Sequence, residues 1–363
     1  MKYEYWFAAL KFPSDMKKIR LRTVLSSGRE IYYIEEKELK MYSFLTEEDV
    51  SNIIASKRTW DIQKEFETLT KKETTFIPFF DSRYPEKLKD IYNPPYAIYV
   101  KGSLPDESLP AIAVVGARKC TPYGEKYAME FAAALANGGA NIISGMANGI
   151  DGASQRAALD AGGNTYAVLG SGADVCYPRN HIGLYMDILD HGGGIISEQI
   201  PGTEPFAWNF PQRNRIISGL SDVVLVMEAK EKSGSLITAD LAMDQGKDVY
   251  ALPGQISSAY SQGCNRLIKQ GAGILLSPSE LVKDLSINKH FYLSNFSKKE
   301  KEKEIKLETT ENLVYSCLDF DSKNLDTIVK ETNLPALKVI NVLIALELKG
   351  LVKEIAKNYY VKI

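Results

Sequence analysis

Between residues 111 and 280, short apolar runs that end in glycine alternate with amphipathic stretches, and few folds accept that alternation. AIAVVG is followed by PYGEKYAMEFAAALANGG, NIISG by GIDGASQRAALDAGG, and TYAVLGSG by HIGLYMDILDHGG. GIISE, RNRIISGL, DVVLVME, GSLITADLAMDQG, DVYALPG, SQGCNRLIKQG and AGILLSP continue the series. An apolar run without polar alternation is a strand buried on both faces, and parallel strands need helical crossovers to cover those faces. Pro122 stands where a first helical turn begins, and glycines follow that helix's last residues. The reading is an α/β fold with a doubly wound parallel sheet.

The flanks differ in pattern. Residues 1–75 mix short helical stretches with charge, as in LTEEDVSNIIAS, where Thr46 is placed to cap and Glu48 or Asp49 favours the first turn. Residues 76–110, rich in Pro and Tyr, read as an extended connector with one short strand, AIYVKG, leading into a sheet domain that runs to 285. The mixed Lys/Glu run within 286–308 reads as a solvated linker. Residues 309–363 read as helix, short helix, turn, helix and two short strands, a winged-helix plan, with Asn333 and Pro335 marking the start of the last helix.

Composition narrows the function classes. The formal charge of the 363 residues is −2, and residues 111–280 carry 12 Lys+Arg against 16 Asp+Glu, so no overall basic field draws the chain to nucleic acid. Any anion site must be local. Cys120, Cys176, Cys264 and Cys317 lie far apart, which suits a reducing compartment and argues against zinc or a disulfide framework. The opening MKYEYWFAALKFPSDMKK is too interrupted for a signal peptide, and no run reaches membrane-spanning length. The expected location is the cytoplasm.

In a doubly wound sheet, ligands bind beyond the carboxyl ends of the strands. The residues there are Gly116-Ala117-Arg118-Lys119, Ser144-Gly145-Met146-Ala147-Asn148-Gly149-Ile150-Asp151, Gly170-Ser171-Gly172-Ala173-Asp174, Phe210-Pro211-Gln212-Arg213-Asn214-Arg215, Lys232-Ser233-Gly234-Ser235 and Pro253-Gly254. Glycine lets backbone N–H groups approach an anion, and a helix N-terminus adds donors and a positive dipole end. SGMANGID and KSGSLITA both fit that description, and arginine and lysine add phosphate-binding charge.

No GxGxxG and no GxxxxGK[ST] occurs, so neither a dinucleotide nor a Walker-type site is indicated. An alternative reading, a nucleotide-hydrolysing or nucleotide-sensing protein, would need a positioned acid or base, for which Asp151, Asp174 and Glu228 are the loop-edge candidates. Asp151 also suits a helix cap, Asn180 is placed as a cap, and His181 and His191 carry no catalytic assignment. A transcription regulator acting through its winged helix is a third reading. ALKVINVLIALELKG, with only Lys338 and Lys349, favours a core or partner-binding helix over major-groove reading.

Taken together, VVGARKCTPYG, SGMANGIDGASQRAAL, AVLGSGADVCYP, NFPQRNRIISGLSDVVLVMEA, KSGSLITADLA, YALPG and QGCNRLIKQGA strongly resemble the DNA-processing protein A (DprA, also called Smf) family. The resemblance implies an extended Rossmann-like, doubly wound, mostly parallel sheet between an N-terminal helical domain of sterile-alpha-motif (SAM-like) type and a C-terminal winged helix. KFPSDMKKIRLRTVL lacks the glycine-bearing hairpin of many members. The implied function, without enzymatic activity or cofactor, is binding of single-stranded DNA by a homodimer. It would load the RecA recombinase onto strands coated by single-strand binding protein during natural transformation and recombination. Carried over to this chain, the implied DNA-binding residues are Gly116, Arg118, Ser144, Gly145, Asn148, Gly149, Phe210, Arg213, Asn214, Lys232 and Ser233. Where some members have a basic residue before the phenylalanine, this chain has PFAWNF, and Trp208 offers a stacking face instead. If RNRIISGL is helical, positions 213 and 215 point to different sides. Arg213 is then expected to face the ligand, and Arg215 to reach carboxylates near the following strand, Asp222 or Glu228.

Overall fold

A computed structural model describes residues 1–11, 14–285, 287, 309–319 and 322–362. The linker expected at 286–308 lies, but for Ile287, outside the described residues. Nine strands form the main sheet: β1 (Thr75–Pro78), β2 (Ala97–Gly102), β3 (Ala111–Val115), β4 (Asn141–Ser144), β5 (Thr165–Leu169), β6 (Gly194–Ser197), β7 (Val223–Val226), β8 (Asp248–Ala251) and β9 (Gly273–Ile274). Their spatial order is β1-β2-β6-β5-β4-β3-β7-β8-β9. From β6 across to β9 every neighbour is parallel, and β1 and β2 extend the β6 edge antiparallel, Tyr99 opposite Ser197. The connector thus contributes two strands to the sheet where the pattern suggested one.

The strand order explains where a ligand can sit. From β3 the chain winds outward through β4 and β5 to β6, returns along the Asn209–Leu220 helix, and resumes at β7 on the other side of β3. Loops leaving β3 and β7 therefore diverge and open a crevice at the carboxyl edge. β3, β4, β5 and β7 are buried along their whole length; β3 and β7 are apolar throughout, and the polar Asn141, Ser144 and Thr165 of β4 and β5 donate to the carbonyls of Asp106, Val114 and Ile142. One face is covered by the Asn209–Leu220, Gly234–Asp244 and Gln262–Lys269 helices, whose Ile216, Leu220, Ala239, Ala242 and Leu267 pack on Ala113, Val224 and Val226. The opposite face carries Pro122–Asn137 and Ile150–Asp160, with Phe131, Leu135 and Ile150 against Ile112, Val114 and Leu225.

Local chemistry sets the helix ends. Thr121 Oγ1 accepts the Gly124 N–H at 3.2 Å ahead of Pro122. Thr46 and Asp49 exchange side chain to backbone hydrogen bonds in a capping box that starts Glu47–Thr59. Asp49 also receives Lys17 Nζ at 2.6 Å.

The N-terminal helices share a core with the sheet. Tyr5, Trp6, Phe7, Leu21 and Ile53 form one cluster with Phe76, Tyr96, Tyr99 and Ile195. Phe7 meets Tyr96 edge-on at 5.2 Å between centroids. Tyr96 donates its hydroxyl to Glu4 at 2.7 Å, and the same carboxylate receives Arg22 and the Gly28 N–H. At the other end Thr309–Cys317, Leu325–Thr332 and Ala336–Leu348 are helices followed by two strands, Val352–Ala356 and Tyr359–Lys362, about a core of Val314, Ile328, Val339, Leu343 and Leu346. Asn333 closes the middle helix at φ 55°, and Pro335 stands immediately before the next without a side-chain cap. Among the described residues no helix is long and apolar enough to cross a membrane.

Removing residues 1–71 would uncover Phe76, Tyr96 and Tyr99, so that variant is expected to aggregate. A chain ending near residue 290 keeps the sheet's core and is expected to melt cooperatively. Size-exclusion chromatography and thermal melting check both.

Candidate nucleic-acid interface

A cleft of about 570 Å³ opens at the crevice between β3 and β7. Gly116, Arg118 and Lys119 line it from the β3 loop, Phe210, Arg213 and Asn214 from the helix that returns to β7, and Lys230, Lys232, Ser233, Gly234 and Ser235 from the loop after β7. Arg118, Lys119, Lys230 and Lys232 are exposed, and among the described residues none has a carboxylate at ion-pair distance. The Gly234–Asp244 helix begins here, and no side chain caps it. Charge and helix dipole therefore point the same way, toward an anion.

The cleft has aromatic walls. Phe210 lies 5.4 Å from Tyr177, the rings 34° apart, and the Arg118 guanidinium sits over the Phe210 ring at 5.4 Å. Gly170 makes room for that ring, since a Cβ there would stand 2.9 Å from Phe210 Cδ1. Tyr260, with Lys230 Nζ over its ring at 4.4 Å, completes the far side. A cleft with cations at its rim and flat rings inside can hold a phosphodiester backbone and stack unpaired bases.

Two expectations about this site need correction. First, the loop after β4 does not present an empty cradle of N–H groups. Asp151 turns back into it and accepts the Gly145 N–H at 3.1 Å. The anion that this loop holds is the protein's own. Burial raises the Asp151 carboxyl above the ordinary range, against the pull of Arg213 and the surrounding hydrogen bonds. Ser144, also expected at the ligand, is fully buried and donates to the Val114 carbonyl at 2.6 Å. Gly149, at φ 78°, packs against the Ala117 carbonyl and does not line the cleft. Asn148 and Gly145 do border a smaller recess beside Arg118 and Phe210, and there Asn148 Oδ1 accepts from Asn180 at 3.0 Å. Asn180 is thus a brace for the loop, not a helix cap, and His181 reaches the same loop through the Met146 carbonyl at 3.0 Å.

Second, Arg213 does not extend toward a ligand. Only 5% exposed, it donates to the carbonyl of Gly145 at 3.0 Å, to that of Val168, and from Nε to Asn214 Oδ1 at 3.3 Å. Burial, against the Asp151 charge and with the Arg118 charge, lowers its pKa to about 10. Its guanidinium plugs the ends of β4 and β5 and forms the floor of the cleft. Gly145 must be glycine for this, because a Cβ would lie 2.6 Å from the guanidinium. Arg215 points to another side, as helical spacing requires, and pairs with Glu198 through both Nη atoms, at 2.9 and 2.5 Å. The partners suggested for it are engaged elsewhere: Asp222 binds Lys87 at 2.7 Å and the Ala111 N–H, and Glu228 binds Thr121.

The three loop-edge carboxylates all serve the fold. Asp151 sits under Arg213, Asp174 pairs with Lys72 at 2.9 Å and accepts the Gly202 N–H, and Glu228 accepts the Thr121 N–H and hydroxyl. Glu228 therefore secures the cap of the Pro122–Asn137 helix, and burial raises its pKa. Lys230, Tyr177 and Tyr260 line the cleft although no spacing rule singled them out; Tyr177 stood within the stretch AVLGSGADVCYP, and Lys230 falls between NFPQRNRIISGLSDVVLVMEA and KSGSLITADLA.

The DNA recombination-mediator protein A family model matches residues 75–286, and the DprA winged helix domain matches 298–356. Protein Smf of Escherichia coli (strain K12) is 37% identical over 286 residues, 78% of this chain and 76% of that protein. DNA processing protein DprA of Streptococcus pneumoniae (strain R6) is 42% identical over 214 residues, 58% of this chain and 75% of that protein. The X-ray structure of DNA processing protein A from Streptococcus pneumoniae superposes with a TM-score of 0.68 at 33% identity, covering 78% of this chain and 97% of that one. DNA processing protein A from Helicobacter pylori, solved for its unique single-stranded DNA binding mode, gives 0.51 at 30% identity over 59% and 95% of the two chains.

Replacing Arg213 by Ala is expected to destabilise the protein by about 3–5 kcal/mol, because Asp151 would remain buried without its counter-charge. Arg215→Ala, which strands Glu198, should cost a similar amount. Arg118→Ala should leave the melting temperature within a degree or two, roughly the ±0.5 kcal/mol of ordinary surface changes. Thermal melts of the three variants separate these cases.

Proposed function

The chain belongs to the DNA recombination-mediator protein A (DprA/Smf) family, and from that premise we propose that it binds single-stranded DNA in the cleft between β3 and β7. The observation that carries this reading is the set of exposed cations, Arg118, Lys119, Lys230 and Lys232, without an ion-pair partner among the described residues, around the Phe210 and Tyr177 rings. Arg118 and Lys232 contact phosphates, Ser233 and the helix start at Gly234 donate hydrogen bonds, and Gly116 lines the cleft while its bare Cα seats the β3 loop on Ile150, where a Cβ would lie 2.6 Å from Ile150 Cγ1. Phe210 stacks on a base. Asn148 and Asn214 border the strand, while Arg213 and Gly145 act from beneath as the floor. A protein with net charge −2 can do this because the cations converge within one recess, where they focus the local field.

The bound strand is then handed to the RecA recombinase, on DNA that single-strand binding protein coats, by a homodimer of this chain in the cytoplasm. The recombination-mediator description of the family supports that step. The protein acts as a binder without cofactor or chemistry of its own, a reading supported by the structural employment of Asp151, Asp174 and Glu228. Residues 76–285 carry the binding, with 1–75 buttressing the sheet and 309–363 forming a separate winged-helix module.

Titration with single-stranded and duplex oligonucleotides across a range of salt tests the reading. Single strand should bind more tightly. Arg118→Ala and Lys232→Ala should each weaken it by about 1.5–3 kcal/mol and lower the slope of log K against log salt by about 0.7. Equal affinity for duplex, or two variants that bind like the parent, contradicts it. For the handover, RecA filament growth on strands coated by single-strand binding protein should accelerate with the parent chain and not with Arg118→Ala.

A further inference from the structure

Just before the helix that carries Phe210, the chain reads PFAWNF, and its side chains alternate in direction. Pro205 and Ala207 line the cleft, whereas Phe206 and Trp208 stand outside it, 44% and 64% exposed. The two outer rings are parallel to within 5°, with centroids 4.7 Å apart. They are also firmly seated. Asn209, buried, donates its N–H to the Phe206 carbonyl at 3.0 Å and its side-chain amide to the Gly170 carbonyl at 2.9 Å. Trp208 is itself the residue that precedes the first turn of Asn209–Leu220. A large flat ring, backed by a second ring and held at the start of a helix, is thus exposed beside a basic cleft.

Resting on the reading of the cleft as a single-strand site, we propose that Trp208, backed by Phe206, is a stacking shelf for an unpaired base as the strand leaves the cleft. A stacked base there adds to the single-strand preference that stacking on Phe210 already gives. The charge around it limits what it can contact. From Glu204 to Gln212 the chain carries no Lys, Arg or His, and Glu204 is exposed. The segment itself offers a phosphate no cation, and its exposed ring offers a flat face on which a base can stack. In a duplex the faces of the bases are stacked on their neighbours, and only an unpaired base can present one. Cations in the cleft act on any phosphodiester chain, paired or not. The shelf discriminates where the cations cannot.

The test compares the full-length parent, Trp208→Ala and Trp208→Phe for binding to oligo(dT) and to an annealed duplex with no unpaired residues, each across a range of salt. For Trp208→Ala the affinity for oligo(dT) should fall about 5- to 100-fold, the span one base–aromatic stack supports. Duplex affinity, melting temperature and salt slope should stay as in the parent, since no phosphate contact is lost. Trp208→Phe, which keeps a ring, should recover most of the loss. Unchanged oligo(dT) affinity in Trp208→Ala overturns the shelf. So does an equal loss on duplex, or a reduced salt slope, either of which makes Trp208 a general or phosphate contact. A parent that shows no single-strand preference sinks the reading of the cleft itself, and the parent titration reports that separately from the variants.

Discussion

The buried guanidinium of Arg213 is the constraint from which the site's geometry follows. A charge out of water costs several kcal/mol unless it is balanced and fully hydrogen-bonded. Here the balance comes from Asp151 and the hydrogen bonds from the Gly145 and Val168 carbonyls, at the ends of β4 and β5. Two strands, the loop between Ser144 and Asp151 and the Asn209–Leu220 helix are thereby fixed to one another. Phe210 lies one turn earlier on that helix, so its ring is delivered against Gly170, with Arg118 above it. Interior charge sets the floor, and that leaves the rim cations uncommitted.

This division accounts for an acidic protein with a basic site. Across residues 111–280 carboxylates outnumber cations, yet two of those nearest the crevice are engaged in the interior, Asp151 by Gly145 and Arg213 and Glu228 by Thr121. Loops diverging from β3 and β7 then bring four cations to one place, none of them in an ion pair with another described residue. The aromatic surfaces are arranged along the same opening, Tyr177 and Phe210 within it and Trp208 at its edge. In the proposed reading, electrostatic attraction and base stacking act on successive parts of one strand.

Much of the architecture was legible in the sequence because it rests on local pattern. Apolar runs such as AIAVVG and DVVLVME, short, rich in Val and bounded by turn residues, read as buried strands, and the alternation with helices sets their parallel order. Convergence of the loops followed from topology, which is why Gly116, Arg118, Phe210, Lys232 and Ser233 meet in one cleft. What remained hidden were pairings across the chain. Spacing identifies SGMANGID as a loop rich in donors, but it cannot say that Asp151 will occupy them. Nor does it say that Arg213 lies inward, that Glu198 rather than Asp222 takes Arg215, or that Tyr5, Trp6 and Phe7 pack beneath β2. Each depends on residues tens of positions apart finding complementary charge or volume.

Amide hydrogen exchange with and without a saturating oligo(dT) tests the central claim most directly, because it reports where the strand lies. The account predicts protection at residues 116–119 and 230–236 and at the start of the Asn209–Leu220 helix, with the amide of Gly145, already bonded to Asp151, exchanging as before. Protection confined to residues 1–71 or 309–363, with the loops after β3 and β7 unchanged, would contradict it.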